Sequence, residues 1–188
     1  MATTADMRTG LILKIEGNLY SVVEFGQNKT ARAAAKVWAK LKGVDNSKTI
    51  EQTWNSGETI YPVRVEKRPY QYLYQDESGC NFMDNDTFEQ ITVSEHLVNA
   101  PQFLKDGLEV IVLINGESDA PIGVELPEKI ELLVTYSEPG LKGDTATRTL
   151  KPATVETGAT VNVPLFVNEG DMIRVNTKSG EYVERVKN

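Results

Sequence analysis

The sequence predicts an all-β chain folded as consecutive small barrels, and three observations support that expectation. Short stretches of alternating apolar and polar residues recur at close intervals from residue 11 to residue 186, a rhythm that suits small barrels better than one layered sheet. Turn signals such as Gly17-Asn18, Asn55-Ser56-Gly57 and Asn115-Gly116 separate them. The 188 residues would fill one or two ordinary domains, but they also suffice for three compact modules of about 60 residues each.

Taken in order, Leu11, Leu13 and Ile15 alternate with Ile12, Lys14 and Glu16. Gly17-Asn18 then turns the chain into a second period-two run through Leu19, Ser21, Val23 and Phe25, so the chain opens as a hairpin. The segment from Ala31 to Lys42 carries a conflict. Its alanines, lysines and Leu41 favour helix by local preference, which makes helix the default. Val37, Ala39 and Leu41 nevertheless alternate with Trp38, Lys40 and Lys42 as in a strand ended by Gly43. The run from Thr59 to Pro69 is extended and broken by Pro62, placing a boundary between Val63 and Lys67. Tyr70 to Tyr74 and Cys80 to Met83 form a further hairpin around a turn at Asp76 to Gly79. Thr92 and Glu95 have the spacing of a capping box for a short helix over 94–99, limited by Pro101. Strands at Leu108 to Ile114 and Ile122 to Leu126 flank Asn115-Gly116, and Pro127-Glu128 marks the second boundary. The last module opens with Lys129 to Tyr136 and closes on a hairpin from Met172 to Val186. The expected domains are 1–65, 66–127 and 128–188.

With 27 acidic against 20 basic residues and a net charge of -7, indiscriminate binding to nucleic acid is disfavoured. A local basic surface is still allowed, because charges are screened over about 8 Å at physiological salt. Such a surface is present in sequence: Lys29, Arg32, Lys36, Lys40, Lys42 and Lys48 share one segment with Asp45 as its sole acid, a footprint suited to phosphate contact. A solvated face is the plainer alternative. Arg32 sits among alanines, where its planar and permanent charge can stack on bases and bond phosphates.

Catalytic raw material is scarce. His96 is the only histidine and, beside Glu95, reads as a surface residue. Cys80, the only cysteine, lies next to Phe82 in strand register and reads as a buried apolar group. No Cys/His spacing suits zinc. Asp84-Asn85-Asp86 begins like a calcium loop, but Phe88 takes a ligand position and Glu89 the turn glycine's place, so it reads as a turn. Lys29-Thr30 lacks the glycine cradle of a phosphate-binding loop. No catalytic residue, metal ligand or cofactor is expected. The single cysteine, the lack of a leader-like segment and the lack of an apolar run of about 20 residues point to a cytoplasmic protein.

The stretch from Glu138 to Gly170 is the most telling. It contains Glu138-Pro139-Gly140-Leu141-Lys142-Gly143-Asp144-Thr145, then Lys151-Pro152-Ala153-Thr154-Val155-Glu156-Thr157-Gly158, Val163-Pro164 and Gly170. Together with Arg68-Pro69-Tyr70-Gln71-Tyr72-Leu73-Tyr74, Phe82-Met83, Thr87 to Ile91 and Ser179 to Arg185, it resembles bacterial elongation factor P over essentially the whole chain. The resemblance implies an SH3-like, KOW-type barrel followed by two OB-fold barrels in an L-shaped mimic of tRNA. It implies a non-enzymatic translation elongation factor that binds the 70S ribosome between the P and E sites, contacting rRNA and the P-site peptidyl-tRNA. Such a factor stimulates peptide-bond formation on stalled consecutive prolines, as a monomer and without a membrane.

Many members of that family carry Pro-Gly-Lys-Gly at the tip of the first loop, with the lysine extended by modification. Here Lys29-Thr30-Ala31-Arg32-Ala33 takes that segment and Arg32 falls at the modified position, as in a subset whose arginine is rhamnosylated. The resemblance therefore implies Arg32 as the functional tip, with a rhamnosyl group added by an arginine-modifying glycosyltransferase. Ala31 and Ala33 depart from the usual tip residues. The same correspondence places Lys29, Thr30, Ala31 and Ala33 around the tRNA acceptor end. Gly143, Asp144, Thr145 and Ala146 fall in a loop that contacts mRNA and tRNA, where exposed backbone donors can read single-stranded bases. Tyr182 and Arg185 fall at positions suited to the tRNA backbone, with barrel packing for Tyr182 and simple solvation for Arg185 as their alternatives. An elongation factor P-like paralogue that binds ribosome or RNA without polyproline activity remains open, and more remotely so does an enzyme on the same barrels.

Overall fold

The computed structural model describes residues 1–28, 35–139 and 149–186. Its described residues form strands, turns and three single 3-10 turns, in agreement with the all-β expectation. The chain packs as two compact units, Met1–Lys67 with Leu113–Gly123, and Arg68–Val112 with Val124–Asn188.

The first unit holds an antiparallel sheet of β1 (Ile12–Ile15), β2 (Asn18–Asn28), β3 (Lys36–Gly43) and β4 (Thr49–Asn55), in that order. The helix-favouring segment is a strand from Lys36 onward. Val37, Ala39 and Leu41 point into a core with Met7, Leu11, Leu13, Val22, Trp54 and Ile60. Burying Val37 and Leu41 is worth about 1.5–3 kcal/mol each. Helix preference separates ordinary residues by at most about 0.7 kcal/mol, so the core and the ladders on both sides of β3 prevail. Ala31 to Ala34 lie outside the described residues.

The opening hairpin is present, but its alternation does not run unbroken. The register of β2 against β3 shifts between Val22 and Glu24. Val22 faces Leu41 and is buried, whereas Val23 is 48% exposed. The bulge adds one residue and inverts the faces that follow. Before it Ser21 pairs with Lys42 on the outer side, and after it Phe25 pairs with Ala39, although Phe25 stays 41% exposed.

The second sheet has the order β7-β6-β5-β8-β9, with β5 (Val65–Asp76), β6 (Gly79–Asp84), β7 (Gln90–Val93), β8 (Glu109–Asn115) and β9 (Pro121–Glu125). Tyr72 packs on Phe82 with ring centroids 5.6 Å apart, and Cys80, Val93 and Val112 are buried with them. The expected helix over 94–99 is only the 3-10 turn Glu95–Leu97, whose Ser94 cap makes no side-chain hydrogen bond. The Thr92–Glu95 capping box does not form, because both side chains bond elsewhere in the sheet. Thr92 lies in β7 and its hydroxyl donates to Asn81 Oδ1 at 2.7 Å, while Glu95 accepts from Gln75 Nε2 at 3.0 Å. A capping box does occur at the start of the chain, between Thr3 and Asp6.

The third sheet has the order β12-β11-β10-β13-β14, with β10 (Lys129–Ser137), β11 (Leu150–Val155), β12 (Thr160–Pro164), β13 (Met172–Asn176) and β14 (Tyr182–Arg185). Its edge strands β12 and β14 approach each other around a core of Leu132, Val134, Val155, Val161, Val163, Ile173 and Val175. Lys151, in β11, is buried at 7% exposure and donates from Nζ to the Glu138 carbonyl at 2.6 Å. The part of the signature stretch from Lys151 to Gly170 is thus scaffold here. The second and third sheets are tied within their unit by Lys105 Nζ to the Glu131 carbonyl, 2.7 Å, and by the Thr157 hydroxyl to the Gln102 carbonyl, 2.8 Å.

Candidate nucleic-acid interface

The most basic surface in sequence lies on β3. Because side chains alternate along a strand, burying Val37, Ala39 and Leu41 turns Lys36, Trp38, Lys40 and Lys42 outward. The three lysines are exposed, and Lys48 is exposed on the turn that follows. Lys40 Nζ lies 3.7 Å from Glu24 Oε2 on the neighbouring strand. Across the ladder, Lys36 faces Asn28 and Asn55, Lys40 faces Glu24 and Glu51, and Lys42 faces Ser21 and Thr49. The ladder between β2 and β3 runs out at the Asn28–Lys36 pair. Lys29, Thr30, Ala31, Arg32 and Ala33, the expected tip and its neighbours, lie outside the described residues.

Gly143, Asp144, Thr145 and Ala146 also lie outside the described residues. Tyr182 and Arg185 share the edge strand β14. Tyr182 is half-buried opposite Val175, and burial pushes its hydroxyl above the ordinary tyrosine range. Arg185 already has company: its guanidinium lies 5.4 Å from the Phe166 ring centroid, with Nη1 3.5 Å from Asp171 Oδ2. Both contacts hold the side chain in one direction, and the aspartate offsets part of the charge that a phosphate would meet.

The remaining reactive side chains sit apart from this surface in role. Cys80 is fully buried, and burial, followed by Glu95 and Asp76, pushes its thiol up, which disfavours the reactive thiolate. His96 is exposed. Asp84 is the centre of the expected turn: its Oδ1 accepts the backbone N–H groups of Asp86 at 2.8 Å and Thr87 at 3.0 Å. Those N–H groups, Thr87 first, hold its carboxyl below the usual range. Among the described residues no group of three His, Cys, Asp or Glu side chains could hold a metal ion.

Two residues near these positions are not singled out by sequence pattern. Trp38 alternates with lysines as any outward strand residue would, and only the cross-strand register puts it opposite Gly26. Phe166 carries no charge or motif that would mark it as Arg185's partner.

Comparison with known proteins covers nearly the whole chain. Residues 3–60 match the model of the elongation factor P KOW-like domain, 65–124 that of the elongation factor P OB domain, and 130–185 that of the elongation factor P C-terminal domain. Elongation factor P 1 of Porphyromonas gingivalis is 54% identical over 187 residues, covering 100% of both chains. Elongation factor P of Amoebophilus asiaticus is 49% identical, covering 100% of this chain and 98% of its own, and that of Flavobacterium psychrophilum is 47% identical with 100% of both covered.

Proposed function

The chain belongs to the elongation factor P family of translation elongation factors, and from that premise we propose that it binds the ribosome between the P and E sites. There it positions the P-site peptidyl-tRNA and relieves stalls at consecutive prolines. The observation that carries this reading is identity to elongation factor P sustained over 187 residues, end to end. Proline has a fixed φ and a ring-closed nitrogen, so a peptidyl-proline is poorly arranged for attack. Holding the acceptor end in a reactive pose lowers the barrier by orientation, an effect that reaches about 7–11 kcal/mol in well-aligned systems. A factor working this way needs no acid or base of its own, which fits the scarcity of such groups in the sequence.

In this reading Arg32 is the tip that approaches the reacting ends, carrying a rhamnosyl group attached by an arginine-modifying glycosyltransferase. Lys29, Thr30, Ala31 and Ala33 flank the acceptor end. Gly143, Asp144, Thr145 and Ala146 meet mRNA and tRNA, and Tyr182 and Arg185 meet the tRNA backbone. The functional domains are 1–65, 66–127 and 128–188, and the protein works as a monomer in the cytoplasm with the 70S ribosome, rRNA and peptidyl-tRNA as partners. A reconstituted translation reaction programmed with a Pro-Pro-Pro message tests this. The cell-derived protein should stimulate product formation, and Arg32→Ala should abolish most of the gain. No stimulation by either modified or unmodified protein would favour the paralogue without polyproline activity. The intact mass of the Arg32 peptide tests the modification separately, and an unmodified arginine in native material would overturn that part.

A further inference from the structure

The outer face of the first sheet carries an aromatic ring among lysines. Trp38 lies between Lys36 and Lys40 on that face, with Lys42 beyond, at steps of about 6.8 Å set by the strand repeat. Opposite it stands Gly26. A Cβ built on Gly26 would come within 2.7 Å of Trp38 Nε1 and 2.8 Å of Cε2 and Cζ2. The indole therefore lies against bare glycine backbone, in space that any side chain on Gly26 would occupy. Trp38 is half-buried, with Thr53 facing it from the other neighbouring strand. The second tryptophan, Trp54, is a core residue with 8% exposure.

Covering a strand glycine with an aromatic ring is itself a stabilising device, and it accounts for the contact with Gly26. It does not account for the setting, in which the ring is flanked on its own strand by three exposed cations, with Glu24 and Glu51 the carboxylates opposite Lys40. A fixed π-face beside cations that track a backbone is the arrangement by which proteins hold single-stranded nucleic acid. We propose that Trp38, seated against Gly26, is a base-stacking residue for a single-stranded RNA segment whose phosphates are met by Lys36 and Lys42. The choice of RNA rests on the ribosome-binding reading above. Unstacked bases are required, because the bases of a duplex already stack on one another and its grooves are read by shape.

The test uses the full chain and its own tryptophan emission, titrated with a single-stranded RNA octamer and, separately, with a duplex of the same length. Saturable quenching by the single strand and little by the duplex is expected. Trp38→Thr keeps a strand-compatible residue, leaves Trp54 as the sole emitter, and should remove the quenching while weakening octamer affinity about 5- to 150-fold, the range for one stacked base. The slope of log affinity against log salt should stay the same in that variant. It should fall by about 0.7 for each of Lys36→Ala and Lys42→Ala, as expected for lost phosphate contacts on a single strand. Gly26→Ala provides a second variant that keeps the tryptophan but lifts it, and it should weaken binding with a red-shifted emission. Unchanged native emission at octamer concentrations that saturate binding, or undiminished affinity in a folded Trp38→Thr, would overturn the proposal. If the octamer quenches Trp38 while the protein fails on the Pro-Pro-Pro message, the ribosomal reading fails and the stacking site stands. The reverse pair of results would reject the stacking site alone.

Discussion

Three lysines on the first sheet and three cations on the third do different work. On β3, Lys36, Lys40 and Lys42 stand on the solvent face, and among the described residues only Lys40 is near a carboxylate. In the third sheet, Lys151 is buried against the Glu138 carbonyl, Arg174 is clasped by Glu131 at 2.7 Å and also by Glu184, and Arg185 is shared between Asp171 and Phe166. Net charge cannot tell these apart, because a cation committed to a carboxylate or a carbonyl holds the fold together and one facing water remains available to a phosphate. The contrast is why the proposed RNA segment is placed on the first sheet's outer face, despite a net charge of -7 for the chain.

The strongest way to break the contrast is Lys151→Ala. If Lys151 is structural, losing its charged donor from a part-buried hydrogen bond should cost about 1.5–3 kcal/mol, read as a lowered denaturant midpoint. A midpoint within about 0.5 kcal/mol of the parent would return Lys151 to the pool of available cations. Arg174→Ala should lower the midpoint less than Lys151→Ala does, because its pair with Glu131 is more than a third exposed and screened by solvent. That loss should shrink at 1 M salt, where the Debye length is about 3 Å. Lys42→Ala should leave stability within about 0.5 kcal/mol and alter only the salt dependence of RNA binding. A clear stability loss there would mean that the first sheet, too, spends its cations on structure.

Asp84 sharpens the comparison from the acidic side, since its carboxyl is likewise committed to local structure. Its folded value lies below its ordinary one, so its contribution is fully present above the ordinary aspartate range and is lost as pH falls through the depressed folded value. Asp84→Asn should therefore flatten the acid limb of the stability curve. An acid limb identical to the parent's would show that the two N–H contacts do not persist in solution.

Much of this was legible in the residues, and what was hidden shares one cause. The hairpins around Gly17 and Gly180 follow from local signals, and both glycines take left-handed backbone at φ 84 and 72. The lysine-rich segment was legible as a charge run, and the turn at Asp84 as a failed calcium loop. The candidate site was legible only in part, because the pattern exposes lysines but gives no reason to pair Trp38 with Gly26. Thr92 and Glu95 misled because capping-box spacing is a local statement, while their actual partners, Asn81 and Gln75, arrive from neighbouring strands.

Periodicity and turn chemistry are short-range properties, so by itself the amino-acid order determined a β-rich chain, the positions of its turns and the spacing of Val37, Ala39 and Leu41 between Lys36, Trp38, Lys40 and Lys42. Three outcomes were left to the tertiary structure: strand over helix on β3, the inversion after Val22, and the seating of the indole on Gly26. Each depends on what a partner strand presents across the ladder. That energy exists only once strands distant in sequence have met.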